Sequence, residues 1–519
     1  MPSGTSMMDT PRRAHPRLGE ISGVLLATAL LLVCACGPAA DERRVTVGFG
    51  DHPVTLDPHL HNNNLTWSVL SSFCDPLVEF SPEMVLQGAL AERWERTGPT
   101  TWRFELRGSV PFHRGGTLSA ADVVASIERV RTHPRSPLRY LLAGVARAVA
   151  ADDRVVVVET DRPVPDLLNR LAFVAIIPRR IAAEREIASP EGTGPYRFLG
   201  RGASGSIEAE AFAGWRGRPP IRRVAFVFDE GSEAAAARFL AGKLDVLHLL
   251  PEELVGEVRK TPGLRVEPQS SLGVQILAVY PRNATGTASL ALADPRVRRA
   301  MLLALDRQGW IDRLARGRTT VASQYVHPVV FGHDTSIAPA PYDPALARKL
   351  LAEAGYGRGF DAVLGHTRMQ AAVAQSIAED LARIGVRVTL LPARAGELTE
   401  LAVTGRISLQ LFQWACGTGD ASDFLNRFVP ILGEAAERTK LGYWGLSDPR
   451  LETLVVAATG EIDPERRRAL LQQAQREMLR ALPMLPLTLR YANRGVSSRV
   501  EVVDRYDERQ VVASFRWRR

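Results

Sequence analysis

Trp102-Arg103-Phe104-Glu105-Leu106-Arg107, Val110-Pro111-Phe112-His113, Gly115-Gly116-Thr117 and Ser119-Ala120-Ala121-Asp122-Val123-Val124-Ala125-Ser126 form the stretch on which the reading of the fold turns. Its first block alternates apolar and charged residues, the period of a strand. The glycines mark a loop. Ser119 then offers a capping hydroxyl and Asp122 an acid in the first turn of a helix. Working outward, Val45-Thr46-Val47-Gly48-Phe49 is a second alternating strand. It runs into Thr55-Leu56-Asp57-Pro58, held extended because proline disfavours helix in the residue before it. Asn62, Asn63 and Asn64 can cap a helix over 65–73. Further strands are predicted at 155–159, 196–199, 274–279, 386–391 and 485–490. Helices are predicted at 294–305, 343–354, 369–384, 449–458 and 464–482. Short strands interleaved with helices indicate an α/β or α+β protein.

The 519 residues are 45% hydrophobic and 24% charged, ordinary for a folded chain long enough for two or three domains. The net charge of +8 is spread among acids without basic runs, which argues against a nucleic-acid partner. Only four of the 65 basic residues are lysines, which we read as codon usage. Near the N-terminus Arg12, Arg13 and Arg17 precede an apolar run over 21–33. Such a run matches a signal-peptide core and is short of the ~20 residues of a spanning helix. It ends at Val33-Cys34-Ala35-Cys36-Gly37, and the small residue before Cys36 resembles the lipobox of bacterial lipoproteins. That resemblance implies removal of 1–35, a lipid on Cys36, and 36–44 as a tether. It places the protein outside the cytoplasm, in the periplasm or on the outer face of the cell membrane. Cys74 and Cys416 remain in the fold, and their separation leaves open whether they pair.

Taken in order, many segments resemble the peptide-type (family 5) extracytoplasmic solute-binding lipoproteins of ABC importers, relatives of the dipeptide-, oligopeptide- and nickel-binding proteins. The opening stretch is the most specific. With it go Thr55-Leu56-Asp57-Pro58-His59, Asp75-Pro76-Leu77-Val78-Glu79-Phe80, Gly192-Thr193-Gly194-Pro195-Tyr196, Asp294-Pro295-Arg296-Val297-Arg298-Arg299-Ala300 and Tyr342-Asp343-Pro344 through Gly355-Tyr356. The resemblance implies an α/β, periplasmic-binding-protein-like bilobal fold of type II in three parts, with a hinge and a cleft. Lobe I would comprise 45–80, 190–275 and 490–519. An insert, 81–189, would pack on it, and lobe III would run over 276–489. The implied partners are a small-molecule or peptide ligand, the permease subunits of an ABC importer, and the membrane through the lipid anchor. The receptor would act as a monomer, with no cofactor, no metal and no catalytic residue.

The resemblance also marks Phe412-Gln413-Trp414-Ala415-Cys416-Gly417-Thr418-Gly419-Asp420-Ala421-Ser422-Asp423-Phe424 as a ligand loop. In the family an aromatic at the place of Trp414 walls the cleft, and an acid at the place of Gly417 holds a peptide's amino group. Glycine there removes that anchor. Either Asp420 or Asp423 replaces it, or the ligand has no free amine. Candidate ligand contacts are therefore Trp414, Cys416, Gly417 and Asp420, with Asn63, Asn64 and Trp67 at the helix start and Tyr280 and Asn283 at the cleft floor. Turn-making and capping are the competing roles for the acids and asparagines. His52, His59 and His61 lack a third donor of defined position, so they read as surface residues and not as a nickel site. The letters G-x-G-x-x-G at 200–205 precede an alternating segment instead of a helix, so they read as a hairpin turn and not a dinucleotide loop. Enzyme signatures such as G-x-S-x-G and H-E-x-x-H are lacking. The reading is a receptor for a short peptide or peptide-like solute. The alternatives are a sensory or partner-binding relative and a metal-chelate binder.

Overall fold

The opening stretch forms a strand Thr101–Leu106, with Phe104 and Leu106 buried, and a helix Ala120–Thr132. The Asp122 carboxylate starts the helix by accepting from the Ser119 amide and hydroxyl at 2.9 and 2.7 Å. The computed structural model describes residues 44–202, 204–281, 286–429 and 448–519. The signal segment, Cys36 and Asn283 lie outside the described residues. No helix among the described residues is long and apolar enough to cross a membrane.

Three sheets organise the chain. A seven-stranded sheet has the spatial order Leu264–Gln269, Ala492–Ser497, Val246–Leu247, Arg44–Phe49, Arg223–Phe228, Ile207–Ala211, Tyr196–Arg201. The last two strands are the hairpin around 200–205, closed by the Gly202 amide donating to the Ser206 carbonyl at 2.9 Å. A five-stranded sheet has the order Val386–Pro392, Phe360–His366, Leu409–Ala415, Gly273–Val279, Met484–Leu489. A four-stranded antiparallel sheet, Ala91–Gly98, Thr101–Leu106, Val155–Thr160, Val145–Ala150, belongs to the insert. The chain passes between the two larger sheets at 270–272, just before the expected boundary, and again at 490–491. The helices predicted from the later repeats of apolar positions form at Pro295–Ala304, Pro344–Glu353, Ala371–Ala382, Pro449–Gly460 and Pro464–Ala481.

The insert touches both lobes. Residues Met84 to Ile176, with Leu77, Val78 and Phe80 of the first lobe, share one apolar cluster with Leu272 of the crossing and Val274, Phe424 and Met484 of the second lobe. Toward the first lobe it is pinned by charge. Asp57, fully buried, accepts two hydrogen bonds from Arg129 at 2.8 and 2.6 Å, and two more from the His59 and Ile187 amides, each at 2.9 Å. The Gly192-Thr193-Gly194 turn lies directly on the end of the first helix. A Cβ on Gly194 would fall 2.5 Å from the Phe73 carbonyl carbon, so only glycine fits. Cys74 and Cys416 are both buried with free thiols and do not pair.

The two crossings are clasped by the C-terminal segment. Asp504 accepts from the Ser270 amide at 3.0 Å, the Tyr506 carbonyl accepts from the Leu272 amide at 3.0 Å, and Glu508 pairs with Arg490 and accepts from Ser271. The Arg490 amide donates to the Gly273 carbonyl at 2.8 Å, joining the crossings directly.

Candidate ligand-binding cleft

The strand Leu409–Ala415 delivers Trp414 to the edge of the second lobe, where its ring meets Phe428 at 5.0 Å and Phe424 at 6.3 Å. The following loop faces the first lobe and the insert. A Cβ on Gly417 would lie 3.7 Å from the Phe173 ring, and one on Gly419 3.5 Å from Met84 and Phe80. The Thr418 carbonyl accepts from the Asn169 amide group at 2.7 Å. The loop thus closes one side of a junction between the lobes.

Three carboxylates meet there. Asp420 is held by Arg467 at 2.5 and 2.9 Å and also accepts from the Ser422 amide at 2.9 Å. Asp166, from the insert, pairs with Arg170 at 2.8 Å and accepts from the Ser422 hydroxyl at 3.4 Å. Asp423 has no cation within 4 Å among the described residues. Asp423 is only partly buried, within the crowd of side chains at the junction. Burial pushes its pKa up to about 7, with Asp166 and Asp420 adding to the rise and the Thr418 backbone and hydroxyl opposing it. Opposite stands Tyr140, half-exposed, whose hydroxyl is raised by burial and then by the charge of Asp423. Asn62 donates to that hydroxyl at 3.4 Å.

On the first lobe, Trp67 stands edge-on to Phe173 at 4.9 Å and to His61 at 5.0 Å. The guanidinium of Arg509 lies over both Trp67 and Phe173. His59 and His61 are not at the surface: both are buried, and burial chiefly holds them low, at about 4 and about 3, so both are neutral.

Several expectations are corrected. Asp420 structures the loop, because both its oxygens are engaged within the second lobe. Tyr280 is 1% exposed, not on a cleft floor. It packs with Ala278, Leu398, Ala402 and Ile407 under the helix Ala395–Val403, and its hydroxyl donates to Gln410 at 2.6 Å. Asn63 is the helix N-cap, accepting from the Thr66 amide at 3.0 Å. Asn64 is exposed but donates to the Asp507 carbonyl at 2.9 Å. Cys416 is buried behind the loop. Trp67, Trp414 and Gly417 remain at the junction. Tyr140, Asp166 and Arg509 join them without any sequence signal having singled them out.

The model of the bacterial extracellular solute-binding proteins, family 5, matches residues 85–430. The glutathione-binding protein GsiB of Salmonella typhimurium is 27% identical over 483 residues, which cover 90% of this chain and 92% of that protein. Among solved structures, the periplasmic binding protein DppA from Helicobacter pylori in complex with the peptide STSA superposes with a TM-score of 0.76 at 21% identity, covering 92% of this chain and 98% of the other. NikA from Brucella suis in complex with Fe(III)-EDTA gives 0.80 at 20% identity, covering 92% and 100%. The bilobal α/β architecture is that of these proteins. The chain belongs to the family 5 extracellular solute-binding proteins, which serve ABC importers as binding proteins and not as enzymes.

Proposed function

We propose that this protein captures a short peptide or peptide-like solute bearing a cationic group and hands it to an importer permease. The observation that carries this reading is the charge balance of the junction. Two arginines answer two of the three carboxylates, and Asp423 is left without a cation among the described residues. An unpaired carboxylate is costly there, and an ammonium from a guest would make a charge-assisted bond worth about 1.5–3 kcal/mol. Asp423 then takes over the task of the acid missing at Gly417. Trp67, Phe173 and Trp414 supply apolar walls, and Asn62 and Tyr140 supply polar contacts. A peptide is the ligand in the DppA complex and glutathione is named for GsiB; both kinds of solute carry a free amine, which suits this site.

The lobes we infer to move are 45–80 with 190–275 and 490–519, carrying the insert 81–189, against 276–489, with the first boundary drawn in to the crossing at 270–272. They close about the two crossings, and the guest biases the closed form that the permease reads. The protein acts as a monomer, tethered by a lipid on Cys36 after removal of 1–35.

The test uses purified protein without its first 36 residues. Di- to tetrapeptides with free amino termini are expected to raise the thermal midpoint, because they bind only the folded state. N-acetylated counterparts are expected to raise it less. No shift with any peptide refutes the peptide assignment. Mass spectrometry of the mature N-terminus from membranes checks the anchor; an unmodified Cys36 refutes it.

A further inference from the structure

Arg509 sits on the C-terminal segment with its guanidinium carbon 5.2 Å from the Trp67 ring centre and 4.8 Å from that of Phe173. Its nearest carboxylate, Asp507, is 4.0 Å away and is already gripped by Arg505 through two hydrogen bonds of 2.9 and 2.6 Å. The Arg509 Nε is buried without a hydrogen-bond partner, and no side-chain hydrogen bond leaves the residue among the described residues. A guanidinium carries five N–H donors, and a fold does not enclose one unsatisfied without cost. Beside it His61, 1% exposed, has neither ring nitrogen in a hydrogen bond. Phe173 is a shared wall: Arg509 lies over its ring, and Gly417 of the second lobe faces the same ring.

We propose that Arg509, with His61 beside it, receives an anionic group of the solute, a carboxylate, on the first-lobe side of the cleft. Flat aromatic faces fix the plane of the fork, so that two parallel N–H groups meet the two oxygens of a carboxylate. The neutral imidazole adds a third donor. This rests on the receptor reading above and extends it. With a bare carboxylate on the second lobe and a bare guanidinium on the first, the solute is zwitterionic, and its two ends hold the lobes together.

The test compares wild type, Arg509→Gln and Arg509→Lys, with di- to tetrapeptides carrying a free or an amidated C-terminus. Calorimetry is expected to show amidation weakening wild-type binding tenfold or more. It should leave Arg509→Gln unaffected, with Arg509→Lys between them. Arg509→Gln without ligand is expected to melt at the wild-type temperature or above it, since it removes an unsatisfied charge. An equal amidation penalty in wild type and Arg509→Gln overturns the proposal, as does a drop of several degrees in the unliganded variant. If no peptide binds the wild type, the peptide reading fails by itself, and the anion subsite is read separately. Sodium acetate is titrated against protein labelled with nitrogen-15 in arginine, the Arg509 Nε–H resonance being the one missing from Arg509→Gln. A shift of that resonance supports the subsite, and its constancy overturns it.

Discussion

Asp57 and Asp423 are both acids enclosed by protein, yet they are treated in opposite ways. Around Asp57 the chain supplies four donors, two from Arg129 and two from backbone amides, and nothing remains to be bound. Around Asp423 the described residues supply further acids and no cation within 4 Å. Arg129 and Arg509 differ in the same manner, the first locked onto a carboxylate and the second resting on two rings, with no side-chain hydrogen bond among the described residues. Charges that build the molecule are neutralised in place. The charges we assign to a guest are the ones left open.

The contrast breaks most visibly at Arg129. Arg129→Ala strands a buried carboxylate and is expected to cost about 3–5 kcal/mol in denaturant unfolding. A loss below about 1 kcal/mol would mean that Asp57 is not the anchor of the insert. Asp423→Asn is the counterpart: unfolding free energy is expected to hold or rise. Affinity for an amine-bearing peptide should fall by about 10- to 150-fold, the equivalent of the 1.5–3 kcal/mol of a charge-assisted bond, as read by calorimetry.

Acidity sharpens the same contrast. The folded-state pKa of Asp423, about 7, stands above its value in the unfolded chain. Its proton therefore favours the folded state. That contribution is complete below the ordinary carboxylate range and is lost as pH rises through about 7. The stability of the empty wild type relative to Asp423→Asn should fall over that window while affinity for an ammonium rises, and Asp423→Asn should remove that rise in affinity. His59 and His61, held neutral in the fold but free to take a proton in the unfolded chain below about 6.5, act in the opposite sense: they add stability as pH rises toward 6.5, in wild type and Asp423→Asn alike. The smallest effect belongs to Tyr280→Phe. Losing the bond to Gln410 is expected to cost about 1 kcal/mol of stability and leave affinity unchanged, as for a core residue.

Local signals carried most of the fold. The Ser119–Asp122 pair started its helix where the residues demanded, and Asp294, Asp343 and Asp463 each cap a helix opened by proline. The site was harder. Strand alternation puts Ala278 and Tyr280 on one face and Leu277 and Val279 on the other, but it does not say that the helix Ala395–Val403 covers the first pair. Asp420 and Asp423 are three residues apart in the same loop. What separates them is Arg467, 47 positions from Asp420, which no local pattern connects to it. Arg509 was hidden among so many other arginines, and only the aromatic rings beneath it set it apart.

The arrangement of the seven-stranded sheet governs when this molecule can become itself. Val47 is registered with Val246, and Val246 in turn with Val496, so two strands far apart in sequence stand on either side of the same short neighbour. The sheet stays incomplete until the strand Ala492–Ser497 has been made, and contacts this distant in sequence form slowly. A nascent chain that has not yet made that strand therefore lacks a finished first lobe.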